Sequence, residues 1–198
     1  MGQSNVNLAA LIGSRICHDL ISPIGAINNG LELLNMAGGT SGPEMELISE
    51  SVENASARIR FFRMAYGAAG TQPVGRAEVV SILQDTTRGG RLTMAYGPLD
   101  AQPRWAVRMV FLALQCMETA MPYGGRIEVS LDDGVWRVMG HSEKFSFDSD
   151  LWSTLDTGDV QGLAPAHVQF GLLHHHLHDI GRAVHVDRAD GGPLSMTF

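Results

Sequence analysis

The residue types able to do chemistry gather in one stretch, Arg15-Ile-Cys-His18-Asp19-Leu-Ile-Ser22-Pro23-Ile-Gly-Ala-Ile27. A neutral imidazole is a competent nucleophile near pH 7, because histidine ordinarily titrates at about 6.5. His18 follows Ile16 by two residues, so on a helix it points about 200° away from it. It should therefore face outward from whatever surface Ile16 packs on. Ser14, Arg15, Ile21 and Ser22 are its i−4, i−3, i+3 and i+4 neighbours. Leu11, Gly25 and Asn29 extend that face in both directions. Small residues and single aliphatics around an outward histidine fit a docking surface better than a solvated face, which would be rich in Glu and Lys. Pro23 lacks an N–H and crowds the Asp19 carbonyl, so a bend is expected one turn past His18. On geometry alone, an ordinary surface histidine in a bent helix is an equally open reading.

Two other groups invite attention. His174 and His178 share a helical face at the spacing of a metal-binding pair, but no third ligand accompanies them. A helix surface is the better reading, and no metal is expected. Cys17 lies about 100° from Ile16 and reads as a small packing residue rather than a redox thiol.

Apolar periodicity defines the elements that would hold His18. Ile16, Leu20, Ile24, Ile27, Leu31 and Leu34 fall within an arc of about 80°, with Ala9 opening the stripe. Gly38-Gly39-Thr40-Ser41-Gly42-Pro43 stops one helix and restarts another. Met45, Ile48, Val52, Ala55, Ile59 and Phe62 then recur at spacings of 3, 4, 3, 4 and 3, a heptad seam. Two antiparallel helices cannot bury both seams, whereas two such hairpins in a four-helix bundle can. A homodimer is expected.

Residues 67–73 read as a linker. Beyond it, helices are predicted over 77–87, 104–121 and 166–179, and strands over 92–96, 126–131, 135–139, 183–187 and 194–198. Asp132-Asp133-Gly134 between alternating apolar runs marks a hairpin. Asp190-Gly191-Gly192-Pro193 separates the last two strands, and the stretch before residue 166 reads as irregular. The fold class is thus α+β: a helical hairpin over residues 1–70, then an α/β two-layer sandwich over 71–198.

Composition narrows the function. The 198 residues are 44% apolar and 18% charged, which excludes a disordered chain. No apolar run is long enough for a membrane span. Met1 to Asn7 is polar and unlike a secretory signal. Two cysteines fit a reducing compartment, so a cytoplasmic location is expected. The net charge of −7 argues against nucleic acid as a direct partner.

His18-Asp19-x-x-Ser22-Pro23-x-x-Ala26-Ile27 resembles the H-box of two-component histidine kinases, with an acid after the phospho-accepting histidine and a small polar residue plus Pro at +4 and +5. The hairpin resembles their dimerisation and phosphotransfer domain, and the α/β part resembles a Bergerat-type ATPase domain in element order. The run from Ser14 to Leu34 is more specifically similar to the ChpT-type histidine phosphotransferases, and the likeness covers essentially the whole chain. It implies that His18 is phosphorylated and that Asp19 accepts the Nδ1 proton and orients the ring, with Ser22 beside them. Arg15 would either neutralise phosphoryl oxygens or pair with Asp19 at i,i+4.

Departures from the kinase pattern are informative. Cys116 stands where kinases carry a Mg²⁺-holding Asn, and oxygen ligands suit that cation better. Gly140 lies near the adenine-reading Asp slot. The Gly-rich lid is reduced to Gln169-Phe170-Gly171-Leu172. No bound cofactor is expected, Mg²⁺ residing on the partner. The resemblance implies a phosphorelay protein that takes phosphate from the receiver domain of a hybrid histidine kinase and gives it to a response regulator, toward a cell-cycle regulator. The docking residues would be Leu11, Ser14, Ile21, Gly25 and Asn29. The competing expectations are an active ATP-dependent kinase with divergent nucleotide boxes and a non-enzymatic receiver-binding adaptor.

Overall fold

The computed structural model describes residues 2–37, 42–67, 71–188 and 192–198; side chains 2–10, 14, 17, 35, 37 and 44 stand outside the description. Residues 38–41 of the expected helix break, 68–70 of the expected linker and 189–191 before the last strand lie outside the described residues.

Helix α1 (Gly2–Ala37) continues through Pro23, which is buried. Pro23 cannot donate to the Asp19 carbonyl, so the ladder loses one bond there. Helix α2 (Pro43–Tyr66) begins with Pro43, whose missing N–H costs nothing in a first turn. The two helices run antiparallel. Asp19 lies opposite Arg58, and one groove joins Ala26 to Leu47 and Ser51. The hairpin leaves apolar surface uncovered: Ile24, Leu31, Leu33, Met45, Val52 and Ile59 are each between 41% and 53% exposed.

The lower end of α2 is built into the second part of the chain. Phe61, Phe62, Met64 and Ala65 are buried in the main core. The Phe61 ring centroid sits 4.7 Å from that of Phe111. Leu11, Ile12 and Ile16 of α1 also pack on this core. Leu11, expected on the outward face beside His18, is half-buried on this core. The sandwich comes up against α1 near Arg15, which helical periodicity alone does not reveal.

The rest of the chain alternates in type: α3 (Arg76–Thr87), β1 (Leu92–Tyr96), α4 (Arg104–Ala120), β2 (Gly125–Asp132), β3 (Val135–His141), α5 (Ser149–Thr157), a 3₁₀ turn (Pro165–His167), α6 (Val168–Asp179), β4 (His185–Arg188) and β5 (Leu194–Thr197). Five strands form one sheet in the order β1-β2-β3-β5-β4, parallel at β1–β2 and antiparallel elsewhere. Helix α4 makes the crossover between the parallel pair. Asp133 and Gly134, at φ 50 and 78, close the β2–β3 hairpin in the doubly left-handed turn that suits strand twist. Ile127, Val129, Trp136, Val138, Leu194 and Met196 are buried on one face, while Arg126 and Arg137 are exposed on the other. This is the expected two-layer α+β architecture.

Helix α5 falls in the stretch that reads as irregular. Its signals are local: the Asp148 side chain accepts from the Asp150 and Leu151 amides, and Gly158 at φ 67 ends the helix. Nine residues are too few for an apolar period to stand out. Trp152 anchors it, stacked on Phe147 at 4.9 Å and edge-on to Phe170 at 5.2 Å.

An ion-pair chain ties α2 to α3. Arg60 donates to Asp85 at 2.5 Å, and Arg88 bridges Asp85 to Glu53. The Arg60 hydrogen bond, with the nearby Arg60 and Arg88 charges, holds the Asp85 carboxyl below its ordinary 3.8. A group whose folded-state pKa is depressed stabilises the fold above its unfolded value and loses that contribution as pH falls. Asp85→Asn should therefore lower stability by about 1 kcal/mol or less near neutral pH, as expected of a part-solvated pair. Urea titrations should show the difference full above 3.8 and closing as pH falls beneath it.

Candidate active site

His18 projects from α1 with its side chain 80% exposed, opposite the stripe that includes Ile16. Its Nδ1 lies 3.1 Å from Asp19 Oδ1. Successive helical side chains point about 100° apart, yet here the ring and its neighbour's carboxylate meet. Facing an ionised carboxylate, which only accepts hydrogen bonds, Nδ1 would carry the proton and leave the lone pair on Nε2.

Asp19 itself is only 9% exposed. Arg15 Nε donates to its Oδ2 at 2.9 Å, and Arg58 of α2 brings a guanidinium nitrogen to 3.7 Å from the same oxygen. Arg15 also donates to the Ala166 carbonyl in the 3₁₀ turn. It is thus engaged at both ends, as an i,i+4 partner of Asp19 and as a tie to the α/β part. Of the two sequence expectations for Arg15, the i,i+4 pair is the one present.

Partly buried groups surround this cluster. Burial pushes the Tyr66 phenol up to about 12, and its hydroxyl donates to Gln115 Oε1 at 2.8 Å. Burial, then the Arg15 charge, lowers the His167 imidazole. Both findings mark a weakly solvated flank on the side facing the sandwich. The other flank is open. Ile21 is 69% exposed, Ser22 and Asn29 are exposed, and a methyl group added at half-buried Gly25 would meet no atom within 4 Å. The Ser14 and Cys17 side chains lie outside the described ones. Ser22 and Asp19 share a shallow groove of about 300 Å³ with Pro23, Glu50, Asn54 and Arg58.

Arg58 was missed in the sequence. It lies 39 residues from Asp19 on another helix, so no local motif connects them. The one available hint was the charge pattern of α2, acidic through Glu53 and basic from Arg58 onward.

The model of the histidine phosphotransferase C-terminal domain family matches residues 76–192, more than half of the chain. The chain belongs to the histidine phosphotransferase family. It is 40% identical over 132 residues to the protein phosphotransferase ChpT of Brucella abortus (strain 2308), a match covering 65% of this chain and 63% of that protein's length. A 1.7 Å structure of a bacterial phosphotransferase superposes with a TM-score of 0.80 at 29% identity, covering 97% of this chain and 95% of that one. The family match spans α3 to the segment before β5, while His18 lies in the hairpin that precedes it.

Within that matched part, the three positions compared with kinases are buried. Cys116 is fully buried, and burial pushes its thiol well above the ordinary value. A Cβ at Gly140 would stand 2.8 Å from the Met121 sulfur, 3.4 Å from that of Met117 and 3.7 Å from the Phe145 ring. Gln169, Phe170 and Gly171 are buried in α6, and Gln169 donates to Thr119 Oγ1 at 3.1 Å. The His174–His178 pair has a structural use too: His174 Nδ1 lies 2.8 Å from the Leu155 carbonyl oxygen, binding α6 to α5. Among the described residues, no three His, Cys, Asp or Glu side chains are grouped to hold a metal, and no helix is long and apolar enough to cross a membrane.

Proposed function

We propose that this protein is the histidine phosphotransferase of a multistep phosphorelay, with His18 carrying the phosphoryl group. The observation that carries this reading is the exposed His18 ring whose Nδ1 faces a nearly buried carboxylate. In the first step the Nε2 lone pair attacks the phosphorus of a receiver aspartyl phosphate. The N–P bond forms as the P–O bond breaks, and that electron pair returns to the receiver carboxylate. Asp19 stabilises the positive charge developing on the ring by holding the Nδ1 proton. In the second step a carboxylate oxygen of the response regulator attacks phosphorus, and the N–P electrons return to Nε2. The chemistry asks mainly for in-line positioning and charge neutralisation, and the receivers supply their own Mg²⁺.

The donor is the receiver domain of a hybrid histidine kinase, the acceptor is a response regulator, and the location is cytoplasmic. Receivers dock on Ile21, Ser22, Gly25 and Asn29, with Ser14 at the edge; the half-buried Leu11 contributes less. Residues 1–70 form the dimerisation and phosphotransfer unit, and 71–198 a degenerate ATPase-like domain. ATP has no part in this reading, which is supported by the packing of Cys116 and by the sulfur and aromatic atoms that fill the space beside Gly140. A homodimer is supported by the half-exposed seams of α1 and α2, which a second hairpin would cover.

His18→Ala should abolish acceptance of acid-labile phosphate from a phosphorylated receiver while leaving receiver binding intact. Ile21→Glu should keep the nucleophile but weaken docking by about 1–3 kcal/mol, roughly 5- to 150-fold in affinity. Transfer by Ile21→Glu at the normal rate with sub-saturating receiver would place docking elsewhere. Calorimetric titration with millimolar ATP and Mg²⁺ should give no saturable heat. Light scattering at micromolar concentration should return about twice 21.3 kDa, and charge at Ile48 or Val52 should reduce that mass or unfold the hairpin.

A further inference from the structure

We propose that Arg58 is a positioning residue of the His18 site, acting from α2 through Asp19. This rests on the reading of His18 as the phosphoryl carrier. The Asp19 carboxylate has two oxygens with different loads. Oδ2 faces both cations, Arg15 Nε at 2.9 Å and the Arg58 guanidinium at 3.7 Å, which leaves Oδ1 to meet His18 Nδ1 at 3.1 Å.

The torsion that turns a carboxylate is broad and roughly two-fold. Arg15 alone, on the same helix and committed to the Ala166 carbonyl, fixes one edge of the group. Arg58 approaches from the opposite helix and resists rotation about that edge. Its own aim is set by Asn54, whose side-chain oxygen accepts from Arg58 Nε at 3.2 Å. The contact with Asp19 is longer than a hydrogen bond and acts as a charge contact. Asp19 is 9% exposed and the Arg58 side chain 37%, so solvent screens the contact in part, less than in a pair exposed at both ends.

Both cations favour the arrangement in which Oδ1 accepts from the ring. That arrangement keeps the Nδ1-protonated tautomer and therefore the free lone pair on Nε2. The Asn54–Arg58 pair of α2 thus determines which nitrogen of a histidine on α1 is the nucleophile. The hairpin register becomes part of the chemistry, since sliding α2 by one residue would withdraw the guanidinium.

Imidazole ¹⁵N spectra of the unphosphorylated full-length protein test this directly. His18 should be mainly Nδ1-protonated in the parent protein, shift toward the Nε2-protonated form in Arg58→Ala, and stay close to the parent in Arg58→Lys. Single-turnover transfer from a phosphorylated receiver supplies a second readout. Arg58→Ala should lower the first-order constant about 10- to 100-fold, with the half-saturating receiver concentration nearly unchanged and partial rescue by Arg58→Lys. An unchanged tautomer in Arg58→Ala would overturn the assignment. A loss confined to the half-saturating concentration would also overturn it, making Arg58 a docking residue. Phosphate acceptance by His18→Ala would defeat the phosphotransfer reading instead, and the ¹⁵N result would still judge Arg58.

Discussion

The Asp19 carboxylate is where the parts of this chain meet. It receives the His18 ring and Arg15 from its own helix and faces Arg58 from the next one. Arg15 carries the connection on to the Ala166 carbonyl in the sandwich. A carboxylate at 9% exposure is costly to hold without cations, and a removed partner would leave that cost uncompensated. The need to satisfy Asp19 therefore constrains the hairpin register and the placement of the 3₁₀ turn together. The imidazole beside it is the most exposed member of the cluster, at 80% against 37% for Arg58.

This coupling explains why the sandwich lies so close to α1. Leu11, Ile12 and Ile16 rest on the common core, and Phe61 and Phe62 of α2 are inside it. Packed aromatic rings, the Arg15–Ala166 hydrogen bond and the part-solvated Arg60–Asp85 pair join the two parts. Tyr66 and His167 lie on the sandwich side of the Arg15–Asp19 pair, where burial raises the Tyr66 phenol and lowers the His167 imidazole. Ile21 and Ser22, further along α1, are exposed.

The family match covers the α/β part, yet His18, the proposed nucleophile, sits outside the matched range. Within that part, a Cβ at position 140 would crowd the Met121 sulfur and touch Met117 and Phe145. Methionine is well suited to filling an irregular gap of this kind. The sandwich has the packing of a supporting body: an α4 buried along most of its length, from Met109 to Met117, a one-sided sheet, and polar side chains such as Gln169 and His174 used for internal bonds.

Much of this was written into local sequence. The outward direction of His18, the two long helices, the Asp-Gly hairpin and the five strands follow from periods of 3.6 and 2 and from turn residues, which act over a few positions. The short α5 was hidden because its cap and stop are real but its apolar period is too brief to register. Position on a face was legible; what covers that face was not. Leu11 and Ile21 are both apolar residues near His18, and only the docking of the sandwich decides that the first is half-buried and the second free. Arg58 makes the same point for chemistry. Nothing within one helical turn links it to Asp19, because an ion pair between helices depends on register, and register is set by how two surfaces pack.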